Sequence, residues 1–414
     1  MKNIKMEKLA IAGGKPVSVK QLKPMDWPPR DKATAKKLCE VYMSGKWSFN
    51  GTEEQAFVKE YAKFHGAKYG VFMVNGTVTL QCALAACGVG PGDEVIVPAL
   101  TWLATSTAVN QIGAKTVFVD IDPLTLCLDP QKFKEAITPK TKAVIPVHLY
   151  GSNADLDVII SIAKKRGIFV IEDCAHAQGG KWKGRGLGSW GDIGSFSFQQ
   201  SKTLSCGEGG ICLTNDEKLA GLLYRLKHIG YAANTAQGKA ASGPPAGLLC
   251  NNYRATEFQA VILRGQLKGL AKLIALYNRN ALRLEKQLAG IPGLRVQARG
   301  RLAGPQSYYG WAVTFTDDVF AGIPFSSIQK AMTAEGLSTW GTYGPVYKHM
   351  LYNLPKNSAY RIANGKCPVA EGIASSKTAV LPHPWLGSDA ATIDLIARIF
   401  AKIAGNADAL RAVK

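Results

Sequence analysis

Residues 94–149 read EVIVPALTWLATSTAVNQIGAKTVFVDIDPLTLCLDPQKFKEAITPKTKAVIPVHL, and the fold follows from this stretch. Three runs rich in Val, Ile and Phe, EVIVPAL (94–100), KTVFVDI (115–121) and KAVIPVHLY (142–150), alternate with helix-like ATSTAVNQIG (104–113) and PQKFKEAI (130–137). The same beat continues on both sides. Before it come the helical segment Glu54–Phe64, the strand VFMV (71–74) and TVTLQCALAACGVG (77–90), a helix ending at glycine. After it come LDVIISIAKKRG (156–167), IFVIEDC (168–174), the shorter SFSFQQ (195–200) and GGICLTN (209–215), and the helix DEKLAGLLYRLKHIG (216–230). Continuously apolar strands separated by helices predict an α/β fold with a large, mostly parallel sheet covered on both faces.

Beyond residue 230 the pattern changes. Residues 231–252 are rich in Gly, Ala, Ser and Pro and read as a long surface loop, a feature more often functional or subunit-bridging than idle. EFQAVILRGQLKGLAKLIALYNRNALRLEKQLAG (257–290) keeps apolar residues at helical spacing and predicts one or two helices leading out of the first domain. The remainder has weaker strands, LRVQA (294–298), WAVTFT (311–316) and TAVLP (378–382), with helices at 325–335 and 389–404. A large domain over 1–275 and a smaller C-terminal α+β domain over 276–414 are expected.

Composition removes other classes. The net charge of +20 invites a nucleic-acid reading, but the basic residues are interleaved with apolar ones and form no arm. Nine cysteines without a C-x-x-C pair, and six scattered histidines, support neither a disulfide framework nor a metal site. No apolar run is long enough to span a membrane, and the first residues do not read as a secretory signal, which points to the cytoplasm.

The chemistry concentrates in SFSFQQSKTLSCGEGG (195–210). Lys202 follows a strand and precedes a Gly-Glu-Gly-Gly turn, so it sits at a sheet end; standing alone it would read as a surface lysine. Asp173 ends the strand IFVIED, where open α/β sheets bind ligands. A pyridine nitrogen against that carboxylate would stay protonated and act as an electron sink, the chemistry of pyridoxal phosphate; the bland alternative is a helix N-cap. Asn75-Gly76-Thr77 separates a strand from a helix, and backbone N–H groups there make a phosphate site, to which Ser197 adds a hydroxyl. Trp102 closes a strand and is placed either to stack on a planar ring or to pack in the core.

Taken together, these pieces resemble the DegT-type sugar and aminocyclitol aminotransferases, fold-type I pyridoxal-phosphate enzymes. The likeness rests on NGTVTLQCAL, GPGDEVIVPALTWLATSTAV, GAKTVFVDIDPLTLCLDP, KAVIPVHLYG, IEDCAHAQGG, SFSFQQSKTLSCGEGG and NNYRATEFQAVIL, and covers nearly the whole chain. It implies that Lys202 is the Schiff-base lysine and proton shuttle and Asp173 the pyridinium partner. His176 matches the position that contacts the ring hydroxyl, where many relatives carry Gln. Gly76, Thr77 and Ser197 match the phosphate cradle and Trp102 the stacking aromatic. Asn252 resembles the asparagine that reaches a neighbouring subunit's cofactor phosphate, which implies at least a homodimer. Arg254 has a competing structural role as an ion-pair residue.

The reaction implied is a ping-pong transfer of an amino group from glutamate or glutamine to a nucleotide-linked keto sugar or a keto cyclitol. The QQSK run and the Trp-bearing strand end look most like the branch acting on scyllo-inosose-type cyclitols, whereas the positive charge leans toward a nucleotide diphosphate. Tyr150, Tyr308, Tyr309, Trp340 and Tyr343 are candidate pocket residues, each more often a packing residue. Rival readings are a pyridoxal-phosphate dehydratase or lyase, disfavoured because dehydrating relatives replace the lysine with histidine, and a non-catalytic binding protein, which needs no such lysine.

Overall fold

The computed structural model describes residues 7–49, 51–233, 235, 243–300, 302 and 304–411. Of the long loop expected over 231–252, residues 234 and 236–242 lie outside the described residues, and the rest carries no helix or strand. In chain order the strands are β1 (Tyr69–Met73), β2 (Glu94–Pro98), β3 (Lys115–Val119), β4 (Thr141–Val144), β5 (Phe169–Asp173), β6 (Lys181–Trp182) and β7 (Arg185–Gly186). There follow β8 (Ile193–Ser197), β9 (Gly210–Thr214), β10 (Leu294–Val296), β11 (Gly310–Phe315), β12 (Trp340–Gly341), β13 (Tyr360–Ile362) and β14 (Lys377–Pro382). The helices used below are α1 (Lys32–Ser44), α2 (Thr52–His65), α3 (Gly76–Ala86), α4 (Ala104–Gln111), α5 (Pro130–Ala136), α6 (Leu156–Arg166), α7 (Glu217–Lys227) and α8 (Glu257–Leu288).

Eight strands form one sheet in the order β1-β9-β8-β5-β4-β2-β3-β13. All pairings are parallel except those of β9, which runs antiparallel to β1 and to β8. The connection 198–209 between β8 and β9 holds no crossover helix, so the chain reverses and returns antiparallel. Every residue of β2 and β8 is buried, as strands covered on both faces require. Because the other strands share one direction, the segments after β1, β2, β5 and β8 meet at a single sheet edge.

α8 is one helix of 32 residues, started by a Thr256–Gln259 capping box. The division expected between 275 and 276 falls inside it. A second, antiparallel sheet has the order β10-β11-β14-β12, while β13 leaves the C-terminal part and pairs with β3, Tyr360 opposite Thr116. We therefore place the two units by sheet membership rather than by a cut in the chain. Three residues, YRI, carry too little pattern to announce β13 in sequence.

The N-terminal segment is strapped to the second unit. Ala10 N and Val17 N donate to the two Glu335 carboxylate oxygens, both at 2.8 Å, and Lys402 Nζ bridges Glu335 (2.8 Å) and the Lys15 carbonyl (2.7 Å). Among the described residues no helix is long and apolar enough to cross a membrane.

Candidate active site

A cavity of roughly 600 Å³ opens at the sheet edge where β1, β2, β5 and β8 end. It brings together Gly76, Thr77, Trp102, Asp173, His176, Ser197 and Lys202, whose positions in sequence span more than a hundred residues. Asn252 lies apart: it is exposed, bridged to His228, and does not line this cavity. Arg254 makes no ion pair among the described residues; its guanidinium lies 5.8 Å over the Phe49 ring, with Nη1 3.4 Å from His228 Nδ1.

Asp173 is fixed by its own strand end. Oδ1 accepts from Ala175 N at 3.1 Å and Oδ2 from the Thr105 hydroxyl at 2.9 Å, itself 2.9 Å from the Thr101 hydroxyl. The residues that follow form a turn rather than a helix, so the N-cap alternative does not describe it. Burial lifts the Asp173 carboxyl above its usual range, against the pull of Ala175 N–H, Thr105 and Lys202. A buried carboxylate of this kind, facing a cavity, suits a cationic hydrogen-bond donor.

Lys202 follows a tight turn in which its N–H donates to the Gln199 carbonyl at 2.8 Å. Its Nζ lies 4.4 Å from the Tyr309 ring centroid. Burial lowers the amine to about 8, with Asp173 opposing. The free-amine fraction near neutrality thus arises from desolvation by the chain itself.

The Tyr309 ring packs face to face on His176, with centroids 3.9 Å apart at 12°. Tyr150 N donates to His176 Nδ1 at 3.3 Å, which leaves the ring proton on Nε2. Burial, with Lys202 and His383 nearby, holds His176 well below its usual value. It therefore presents one neutral N–H donor, the same kind of group that a glutamine amide offers.

At the far end, α3 begins with Asn75 as cap, whose Oδ1 accepts from Val78 N at 2.9 Å. Gly76 and Thr77 line the cavity, and their N–H groups, in the first turn, find no partner within the helix. A Cβ on Gly76 would stand 2.6 Å from Ser197 Cβ. Only glycine lets the helix start meet Ser197 this closely, and the hydroxyl and backbone N–H groups then form a cradle fit for a phosphate.

The tyrosine candidates separate. Tyr309 and Tyr343 line the cavity, and Tyr150 stands behind, its hydroxyl accepting from Tyr343 N at 3.1 Å. Tyr308 points to Glu285 (3.3 Å), and Trp340, half exposed, does not line the cavity but has its ring 6.3 Å from that of Tyr309. Trp102 is half exposed at the rim, 5.9 Å from Tyr343. Sequence reading missed Thr105, Gln199, Ser201 and His383. Thr105 had a faint signal, one turn past Thr101 at the start of α4; Gln199 and Ser201 stood in the QQSK run without being singled out, and His383 had no signal.

Beneath Asp173 lies a buried trio, His148, Glu172 and Cys174, with ligand-type atoms within 4.8 Å of one another. Two of its three members are already engaged. Glu172 accepts from Gly188, Trp190 and Gly191 N, each at 2.8 Å, and from His148 Nε2 at 3.2 Å. His148 Nδ1 accepts from Ala154 N at 3.2 Å. Burial alone would raise Glu172, but the His148 ring and these backbone donors hold it below the usual carboxylate range. Its stabilisation is therefore present above the ordinary carboxylate pKa of about 4.3 and is lost as pH falls through the lower folded value. Glu172→Gln is expected to cost about 2 kcal/mol of stability near neutrality, since one backbone donor loses its partner. The deficit in thermal midpoint should narrow as the buffer is taken from pH 7 toward pH 3.

The fold, a large and mostly parallel sheet with a second, antiparallel one, is that of a fold-type I aminotransferase. The sequence from 29 to 399 matches the DegT/DnrJ/EryC1/StrS aminotransferase family, and the chain belongs to that family and is an aminotransferase. It is 40% identical over 354 residues to an L-glutamine:2-deoxy-scyllo-inosose aminotransferase of Streptoalloteichus tenebrarius, covering 83% of each chain. With the enzyme of that name from Micromonospora echinospora it shares 36% identity over 98% of its own length and 100% of the relative's. The crystal structure of 3-amino-5-hydroxybenzoic acid synthase superimposes with a TM-score of 0.83 at 29% identity, over 94% of this chain and 100% of that one.

Proposed function

We propose that the chain moves the amino group of glutamine to a keto cyclitol, using pyridoxal phosphate held in this cavity, and acts as a cytoplasmic homodimer. One observation carries the reading: an amine kept partly free by burial and a buried carboxylate share a cavity that ends in a glycine-lined phosphate cradle. Bound there, the cofactor would serve as the electron sink that makes an α-proton acidic. Asp173 would hold its ring nitrogen protonated, Gly76, Thr77 and Ser197 its phosphate, His176 Nε2–H its ring oxygen, and Trp102 its exposed face.

The chain's own groups then do the proton work. Lys202 Nζ takes the α-proton of the amino donor and later returns a proton to the carbon that was the acceptor's carbonyl. Tyr309, against Nζ, excludes water from one side of the amine.

Two observations bear on the finer calls. Lys202 is the only basic side chain, other than His176, among the described residues lining the cavity, which favours an uncharged cyclitol over a nucleotide diphosphate despite the net charge. Around Asn252 the surface exposes Trp47 and Ile229, with Phe49 stacked on His228, the residue bridged to Asn252. Such an apolar surround suits a face covered by a second copy.

The substrate test uses glutamine carrying 15N at its α-amino group. Label should appear in the aminocyclitol formed from 2-deoxy-scyllo-inosose, and a nucleotide-linked keto sugar should accept far less; the reverse preference would overturn the cyclitol assignment. Gly76→Ala should weaken pyridoxal-phosphate affinity by about tenfold or more, because the new methyl group fills the cradle, as an equilibrium titration of the apoprotein would read.

A further inference from the structure

The turn that carries Lys202 is gripped from three sides, and two of the grips come from parts of the chain remote from it in sequence. The Gln199 carbonyl accepts from Lys202's own N–H at 2.8 Å. The Gln200 carbonyl accepts from Trp27 Nε1 at 3.2 Å, on the N-terminal segment. The Ser201 carbonyl accepts from His383 Nε2 at 3.0 Å, just past β14 of the second unit. A carbonyl only accepts, so the His383 ring proton sits on Nε2, and Nδ1 takes the Tyr277 hydroxyl at 2.9 Å.

These grips are joined to one another. Trp27 packs edge-on against His383, with centroids 4.5 Å apart. His383 N donates to the Tyr309 carbonyl at 3.0 Å, and the Tyr309 hydroxyl lies 3.1 Å from Ser201 Oγ. Ser201 is held in turn by Gln199 Oε1, which accepts from its N at 2.8 Å and from its Oγ at 2.7 Å. Tyr309 is the ring against Lys202 Nζ. His383 thus fixes both the backbone beneath the lysine and the ring beside its amine.

We infer that His383 and Trp27 are positioning residues for Lys202, coupling the N-terminal strap and the second unit to the placement of its amine. The inference rests on reading Lys202 as the cofactor lysine. Burial holds His383 at about 3, so the ring stays a neutral, single-tautomer clamp across the working range. Lys202 owes its own depression to about 8 to desolvation, and a turn released from these donors admits water to the amine. The groups that face Nζ are the Tyr309 ring and Asp173; His176 and His383 lie nearby, both depressed by burial.

The test reads the amine without turnover. Apoprotein is pulsed with acetic anhydride between pH 6 and 11, and the peptide holding Lys202 is quantified by mass spectrometry. Acylation follows the free-amine fraction, so the midpoint is the pKa of Lys202. Wild type should show a midpoint near 8. His383→Leu should raise it by about one pH unit or more toward an ordinary lysine, and Trp27→Phe should shift it the same way by less. His383→Gln, which keeps a side-chain N–H of similar reach, should stay near wild type. Trp27 lies toward the surface, so its variant decides the matter if His383→Leu does not fold. Wild-type midpoints in both would overturn the inference. Borohydride reduction of wild type with pyridoxal phosphate should mark Lys202; a mark elsewhere would remove the reading on which the inference stands.

Discussion

Lys202→Ala is expected to lower the transamination rate by about 10³-fold or more while leaving the protein folded. Among the described residues lining the cavity Lys202 alone carries an amine, and the proposed reaction uses it to take a carbon-bound proton. Its Nζ lies against Tyr309, and burial leaves a useful fraction unprotonated at neutral pH. Asp173 is a carboxylate engaged by Thr105 and Ala175, and His176 keeps its proton on Nε2. Neither can substitute as base. Removing a buried amine costs the fold little, because desolvation opposes its charged form; thermal unfolding of the apoprotein should change by only a few degrees. A variant retaining a tenth of wild-type activity would move the proton-transfer role to another residue.

Asp173→Asn should separate activity from stability. The amide keeps the shape, can accept from Ala175 N through Oδ1, and can pair with Thr105, whose hydroxyl also accepts. What it loses is the charge that would hold a ring nitrogen protonated, so the rate should fall about 10²-fold or more. Stability should move the other way. The folded carboxyl is raised, so its ionised form destabilises the fold above the ordinary carboxylate pKa, and the apoprotein variant should be as heat-stable as wild type or more so at pH 7. A carboxylate retained at a cost to stability is the mark of a functional group. Equal loss of activity and of thermal midpoint would instead make Asp173 a structural residue.

Much of the large sheet was legible because its strands are buried on both faces and carry unbroken runs of Val, Ile and Phe, as β2 and β3 do. The cavity wall was legible for a related reason: Asp173 ends a parallel strand and Trp102 and Lys202 follow two others, so their common direction alone predicts one shared edge. Side-chain contacts between residues far apart in sequence were not. Thr105 meets Asp173 from 68 residues away, and His383 reaches Ser201 from 182. Nothing in local periodicity encodes such distances. β13 is three residues long, and α8 reads as one or two helices because its apolar spacing continues without a stop signal. Asn252 is the remaining case: its assigned role needs a second copy of the chain.

The most direct measurement of the central claim is the visible absorption spectrum of the purified protein with pyridoxal phosphate, before and after L-glutamine. A yellow protein is predicted, whose band fades on adding glutamine and returns with a keto cyclitol, while Lys202→Ala fails to complete the cycle. A protein that stays colourless and takes up no added cofactor would contradict it.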